Sequence, residues 1–300
     1  MIWIDDVHWS DPSSLALLDQ FAANIADMPL LLVLSGRTAP ALSETAMKAA
    51  VSISVKPFNH RQTLDFLERC SGEGHVSEAQ IEPIATRSDG VPLFIQEFIR
   101  ATRHDGAGPA EVAIPDSLQS LLQARLDQAS DVRNIAQWAA VLGREFRKDV
   151  LLKASGLPED ELENGLARLT ERNLIEANRF GDGQVYGFAH GLLCDAAYDS
   201  MLASQRTERH RRVAETLAEE FPEIAKRDPE LVARHFDASD TPERAASFWQ
   251  LAGNASAAQD TTQEARAQYS NALASIRQGS SEQDNSAVVE EIEAILAAIE

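Results

Sequence analysis

Residues 1–37 read MIWIDDVHWSDPSSLALLDQFAANIADMPLLLVLSGR, and this stretch decides the fold class. Met1 to Ile4 is a short apolar run ending in Asp5-Asp6. Leu30 to Leu34 is an unbroken apolar run ending in Ser35-Gly36-Arg37. Between them, Ser13 to Ala26 spaces Leu17, Leu18, Phe21 and Ile25 at helical intervals. Asp11-Pro12-Ser13 suits the start of that helix, because short polar side chains satisfy its free N–H groups. Strand, helix, strand in this order predicts a parallel α/β sheet, and unbroken apolar runs suit parallel strands buried on both faces. Val51 to Val55 is expected to add a third short strand.

The acids after the first strand carry the chemistry. A buried strand delivers its first polar residue to the carboxyl edge of the sheet, where ligands bind in open α/β folds. There Asp5 can hold Mg²⁺, a hard ion that keeps part of its water shell. Asp6 can orient or deprotonate an attacking water. Arg37, ending the neighbouring strand, faces the same edge, and a guanidinium there can pair with phosphate oxygens. His8 and Trp9 read as packing and turn residues.

Beyond Pro57 the pattern is helical over His60 to Cys70, Ser77 to Arg87 and Leu93 to Thr102, and His104 to Pro109 reads as a loop. Further helices fit Ser117 to Asp127, Asp131 to Leu142, Lys148 to Ala154 and Glu159 to Arg172. A hairpin follows: Leu174 to Ala177, a Gly181-Asp182-Gly183 turn, then Val185 to Phe188. Short helices followed by a two-stranded wing are the layout of a winged helix. From His190 onward only helices are expected. The helix over Thr207 to Phe221 lies within an arginine cluster, Arg206, Arg209, Arg211 and Arg212, read as a solvated or salt-bridged face. Trp249-x-x-Ala252-Gly253, then Ala265, Tyr269 and Ala272, match the tetratricopeptide (TPR) pattern, with Ser256 where an aromatic is usual. A last helix over Val288 to Ile299 needs a neighbour, so the chain is expected to stop inside an array.

Composition narrows the function. The 300 residues hold 27 Lys and Arg against 47 Asp and Glu, a net charge of −20. That disfavours sequence-independent nucleic-acid binding and docking on anionic membranes. Within 115–188 there are nine Lys and Arg against twelve Asp and Glu, so the wing is not expected to bind nucleic acid directly. No apolar run approaches a transmembrane span, and the N-terminus lacks a basic signal region. Cys70 and Cys194 are expected to be buried small residues of a cytoplasmic protein.

IDDVHWSDPSSLALL followed by LLLVLSGR resembles the Walker B and sensor 1 region of STAND-class, AAA-related signalling ATPases. These accompany class III adenylate/guanylate cyclases, large LuxR-type regulators and some serine/threonine kinases. Ser88 to Glu97 (SDGVPLFIQE) resembles the family's G-x-P-L-F step in its helical lid. Ile114 to Leu126 resembles the opening of its winged helix, and Phe188 to Tyr198 (FAHGLLCDAAY) its step after the wing. Read without the family, His190 is a packed or capping histidine. The resemblance implies Mg²⁺ at Asp5, water orientation by Asp6, γ-phosphate sensing by Arg37 and adenine packing at Pro92.

The expected layout is therefore a partial P-loop-type parallel-sheet core (1–58), an all-α lid (59–108), a winged helix (114–188) and a TPR-like helical region (189–300), mostly α overall. One departure from the family matters more than the matches. The phosphate-cradling loop G-x-x-x-x-G-K-[ST] is absent, and no Gly-Lys pair occurs in the chain. Without its backbone N–H groups and lysine, the β- and γ-phosphates lose their main ligands. The chain is expected to be a fragment of an ATP-dependent regulator that binds ATP and Mg²⁺ in a longer protein and barely at all alone. Its helical repeats are expected to take a protein partner. Two readings stay open beside it: a stand-alone interaction scaffold derived from an ATPase, and a portion of a LuxR-type transcription regulator.

Overall fold

A computed structural model describes residues 1–25, 28–40, 42–71, 78–104, 117–180, 183–279 and 286–298. Its described residues are mostly helical, with sixteen α-helices and two small sheets. None of those helices is long and apolar enough to cross a membrane. The chain divides into two compact units, one of residues 1–54, 223–237 and 241–300, the other of 55–222 and 238–240.

In the first unit, β1 (Ile2–Ile4) pairs in parallel with β2 (Leu32–Leu34), Trp3 opposite Val33. Helix α1 (Pro12–Asn24) connects them and starts as its sequence requires, with Pro12 in the first turn and Asp11 Oδ1 accepting from the Ser14 N–H at 2.7 Å. A one-turn 3-10 helix (Val7–Trp9) and a short α2 (Glu44–Ala49) were not legible in the periodicity. Two expectations fail here. Val51 to Val55 forms no strand, and Val51, Ile53 and Val55 are 81–91% exposed. Nor are the two strands buried on both faces, since Trp3 and Val33 are both exposed. A strand needs a neighbour to satisfy its backbone and layers to dry its faces. Among the described residues the sheet has two strands only.

The same unit ends in helices α13 (Pro229–Asp237), α14 (Pro242–Ala258), α15 (Thr262–Gly279) and α16 (Ser286–Ala298), preceded by the short α12 (Pro222–Arg227). Small residues let α14 and α15 close. A Cβ on Gly253 would stand 2.7–2.9 Å from the Tyr269 ring. The Tyr269 hydroxyl donates to Asn254 Oδ1 at 2.6 Å. Trp249 Nε1 and the Ser275 hydroxyl both donate to the Asp237 carboxylate, at 2.6 and 2.7 Å. Ser256 donates to Gln268 at 2.7 Å, so a hydrogen bond stands where an aromatic was expected.

The second unit opens with α3 (His60–Ser71), α4 (Glu78–Arg87) and α5 (Pro92–His104), around a core of Leu67, Ile84, Phe94, Ile95 and Phe98. Helices α6 (Leu118–Gln128), α7 (Arg133–Leu142), α8 (Lys148–Ser155) and α9 (Glu159–Glu171) follow. The expected hairpin is β4 (Ile175–Phe180) and β5 (Gly183–Phe188), and the expected turn residues Gly181 and Asp182 lie outside the described residues. A third strand, β3 (Glu145–Arg147), was missed because three residues carry no period, and it gives the antiparallel order β3-β5-β4. Helices α10 (Gly191–Asp199) and α11 (Ala203–Glu220) close the unit.

The arginine cluster on α11 is part of the packing. Arg209 is buried, its Nη2 donates to Asn134 at 2.9 Å, and Arg209 and Arg212 lie 4.8 and 5.1 Å from the Trp138 ring centre. Arg206 and Arg211 match the expected salt-bridged face, pairing with Asp199 and Glu208. Cys194 is buried, as expected, and its thiol is pushed up to about 12 by burial, which makes it inert.

Candidate functional site

Three of the four sequence-predicted residues, Asp5, Asp6 and Arg37, fall at the carboxyl edge of the β1–β2 sheet. Val7 N–H donates to Ser35 O at 2.9 Å and Ser35 N–H to Ile4 O at 3.0 Å, which holds the two strand ends side by side. The Ser35 hydroxyl donates to Asp5 Oδ1, and Trp3 Nε1 donates to Ser35 Oγ at 3.2 Å. The fold thus brings Asp5 to the Ser35-Gly36-Arg37 step, as strand polarity requires. Asp6 follows in the left-handed region at φ 52°, a costly conformation that short polar side chains tolerate. Its carboxylate lies 3.6 Å from His8 Nδ1. His8 is largely buried, in keeping with a packing and turn role, whereas Trp9, its ring centre 5.3 Å away, is 68% exposed and keeps only its place in the turn. Arg37 is exposed at the same edge.

Pro92 belongs to the other unit, where it opens α5. The turn before it is built on Asp89 (φ 48°) and Gly90 (φ 71°). Phe58 N–H donates to Gly90 O at 2.8 Å, so the backbones meet where a side chain would not fit.

Asp5 and Ser35 are the residues here that could hold a metal ion. Asp5 beside the Ser35 hydroxyl is the hard oxygen donor set that Mg²⁺ takes, one carboxylate with the remaining positions left to water and phosphate. Among the described residues no group of three His, Cys, Asp or Glu side chains gathers to hold a metal by itself. The sequence holds no Gly-Lys pair, so the fit rests on the Mg²⁺ donor and not on a phosphate cradle.

Sequence reading missed a second constellation. Glu97, on α5, is fully buried. It forms an ion pair with Arg125 of α6, whose side chain is 6% exposed. Arg100 Nη1 donates to Glu97 Oε1 at 2.9 Å, and His190 Nε2 lies 3.5 Å from the same oxygen. Arg125 Nη2 also donates to the Arg172 carbonyl at 2.7 Å. Burial pulls Arg125 down to about 10, so it stays charged at neutral pH. His190 is pulled below its ordinary value by burial first, then by the charges of Arg100 and Arg125. It precedes α10 without capping it through its side chain. One signal in the sequence pointed here: Glu97 is a charge set among Phe94, Ile95, Phe98 and Ile99.

A second histidine sets a pH expectation. His210 Nε2 and the Tyr198 hydroxyl are hydrogen-bonded at 2.9 Å, and burial pulls the imidazole from 6.5 to about 4. The unfolded chain then binds this proton more readily than the folded one. Stability contributed at this ring is complete above pH 6.5 and is lost as pH falls toward 4. The loss should be about 2 kcal/mol, allowing for solvent screening. Urea unfolding from pH 7 to 4.5 measures it, and His210→Phe should flatten the slope.

No family model matches the chain. It is similar to an uncharacterized protein of Rhizobium meliloti (strain 1021), 29% identical over 290 residues, which cover 91% of this chain and 28% of that protein. The chain therefore spans little more than a quarter of that relative's length.

Proposed function

We propose that this chain is part of a STAND-type, ATP-dependent signalling regulator, supplying the acidic half of a Mg²⁺–nucleotide site and the helical segments that respond to it. The observation that carries this reading is Asp5, held by Ser35 at the carboxyl edge of a parallel strand–helix–strand unit, with Asp6 and Arg37 beside it. In this reading Asp5 is the Mg²⁺ ligand, Asp6 orients water, Arg37 senses the γ-phosphate and Pro92 packs near adenine. The exposed faces of the β1–β2 sheet and the greater length of the Rhizobium relative support a site completed by polypeptide outside this chain. The α6–α9 helices with β3-β5-β4 (114–188) would be the winged helix, and the helical region from α10 on (189–300), with its TPR-like α14–α15 pair, the sensor of a protein partner. A cyclase is a plausible effector on the resemblance alone. A stand-alone scaffold is the second reading, favoured by the missing Gly-Lys pair.

The first test is the size of the native polypeptide by immunoblot against this segment. A band well above 32.8 kDa supports the regulator, and a band at 32.8 kDa favours the scaffold. In the larger protein, Asp6→Asn should lower ATP turnover at least about 100-fold, the usual worth of a positioned acid–base group. Unchanged turnover overturns the role of Asp6.

A further inference from the structure

We propose that Glu97 is the pin of a reversible polar latch that joins α5 to α6 and to the start of α10. The inference needs only contacts within residues 92–190 and does not depend on the nucleotide reading. Three elements converge on one carboxylate: Arg100 from α5, Arg125 from α6 and His190 from the residue before α10. Glu97 and Arg125 are buried, whereas Arg100 and His190 are 38% and 30% exposed in their side chains. Water therefore reaches the Arg100 side chain and the outer part of the His190 ring, but neither the pin nor His190 Nε2.

That arrangement suits a switch better than a rivet. A buried ion pair adds little net stability over apolar packing, because desolvation offsets the attraction, but it holds its partners in one geometry. Apolar groups in the same places would hold α5 against α6 without any chemical trigger. Here Phe98 and Leu121 supply the apolar part of the contact, and the cluster adds one that charge can open.

The trigger is protonation of His190. Two cations, Arg100 on α5 and Arg125 on α6, already share Glu97. Glu176 on β4 is the other acid acting on the ring, and it is exposed. A proton on His190 places a third cation against one buried carboxylate. The closed latch therefore holds its neutral imidazole, and the open form takes up the proton. The latch should be tight above pH 6.5 and loosen as the solution is acidified through that value.

Hydrogen exchange on the full chain tests this, with protection factors for 92–104 and 118–128 compared at pH 7.5 and 5.5. Wild type should lose several-fold protection in both helices at pH 5.5, up to the roughly tenfold that one site titrating at 6.5 in the open form allows, while α14 and α15 keep theirs. His190→Gln, at the half-exposed rim, should abolish that step. Glu97→Gln keeps the shape of the pin and should lower protection at least tenfold at pH 7.5. Titration of His210 acts on α10 and α11 and would survive in His190→Gln, so the two are separable. An unaltered pH step in His190→Gln, or unchanged protection in a folded Glu97→Gln, overturns the latch. Should Glu97→Gln fail to fold, the His190→Gln comparison decides alone.

Discussion

Gly90→Ala is expected to cost at least about 3 kcal/mol, far above the ordinary glycine-to-alanine change. Gly90 has φ 71°, where an alanine loses about 1 kcal/mol from its own backbone. The larger part is steric. A Cβ there would stand 2.1 Å from the Phe58 carbonyl oxygen and 2.8 Å from its nitrogen. Those are backbone atoms, with no rotamer to escape into. Making room means breaking the hydrogen bond from Phe58 N–H to Gly90 O and displacing the start of α5, which carries Phe94, Ile95 and Phe98 into the core. Urea unfolding measures the loss. Gly36→Ala is the comparison, since its nearest neighbours stand at 3.3 Å and its φ is not positive; it should cost less than about 1 kcal/mol. Equal costs at the two glycines would show that the approach of Phe58 is not what requires Gly90.

Trp249→Ala should be as severe, about 4 kcal/mol. The indole is 4% exposed, so its removal empties a large volume between α13, α14 and α15. It also takes one of two side-chain donors from the Asp237 carboxylate and leaves the Ser275 hydroxyl alone on it. Trp249→Phe separates the two effects, because it keeps most of the packing and loses only the N–H. We expect about 1–2 kcal/mol for that bond, since the acceptor is charged. A Trp249→Phe loss as large as that of Trp249→Ala would place the whole effect in the hydrogen bond rather than in the packing.

The motifs differ in how far local order explains them. Asp5 and Ser35 meet because both follow apolar strands of the same polarity, and that was legible from residues 1–37 alone. The G-V-P-L-F step was legible as a motif. What makes alanine intolerable at Gly90 is Phe58, thirty-two positions earlier and marked by no motif. The FAHGLLCDAAY step was visible as a motif, yet nothing near His190 in the sequence announced Glu97 or Arg125. The arginines of α11 look like a solvated or salt-bridged face when counted along the helix. That Arg209 is buried and Arg212 packs beside it follows from Trp138, which lies on another element.

By itself the sequence determined the longer helices, the parallel strand–helix–strand order at residues 2–34 and the hairpin at 175–188. Each is written in short-range terms: apolar spacing, caps and turn residues. Only the tertiary structure decided three things. It left Val51 to Val55 without a strand, because pairing needs a partner that local propensity cannot supply. It buried the charged residues Glu97, Arg125 and Arg209, because burial of a charge depends on a counter-charge or acceptor brought from a distant position. And it joined the lid-like motif at 88–97 to the one at 188–198 through a single carboxylate, a contact about ninety residues long that no spacing rule encodes.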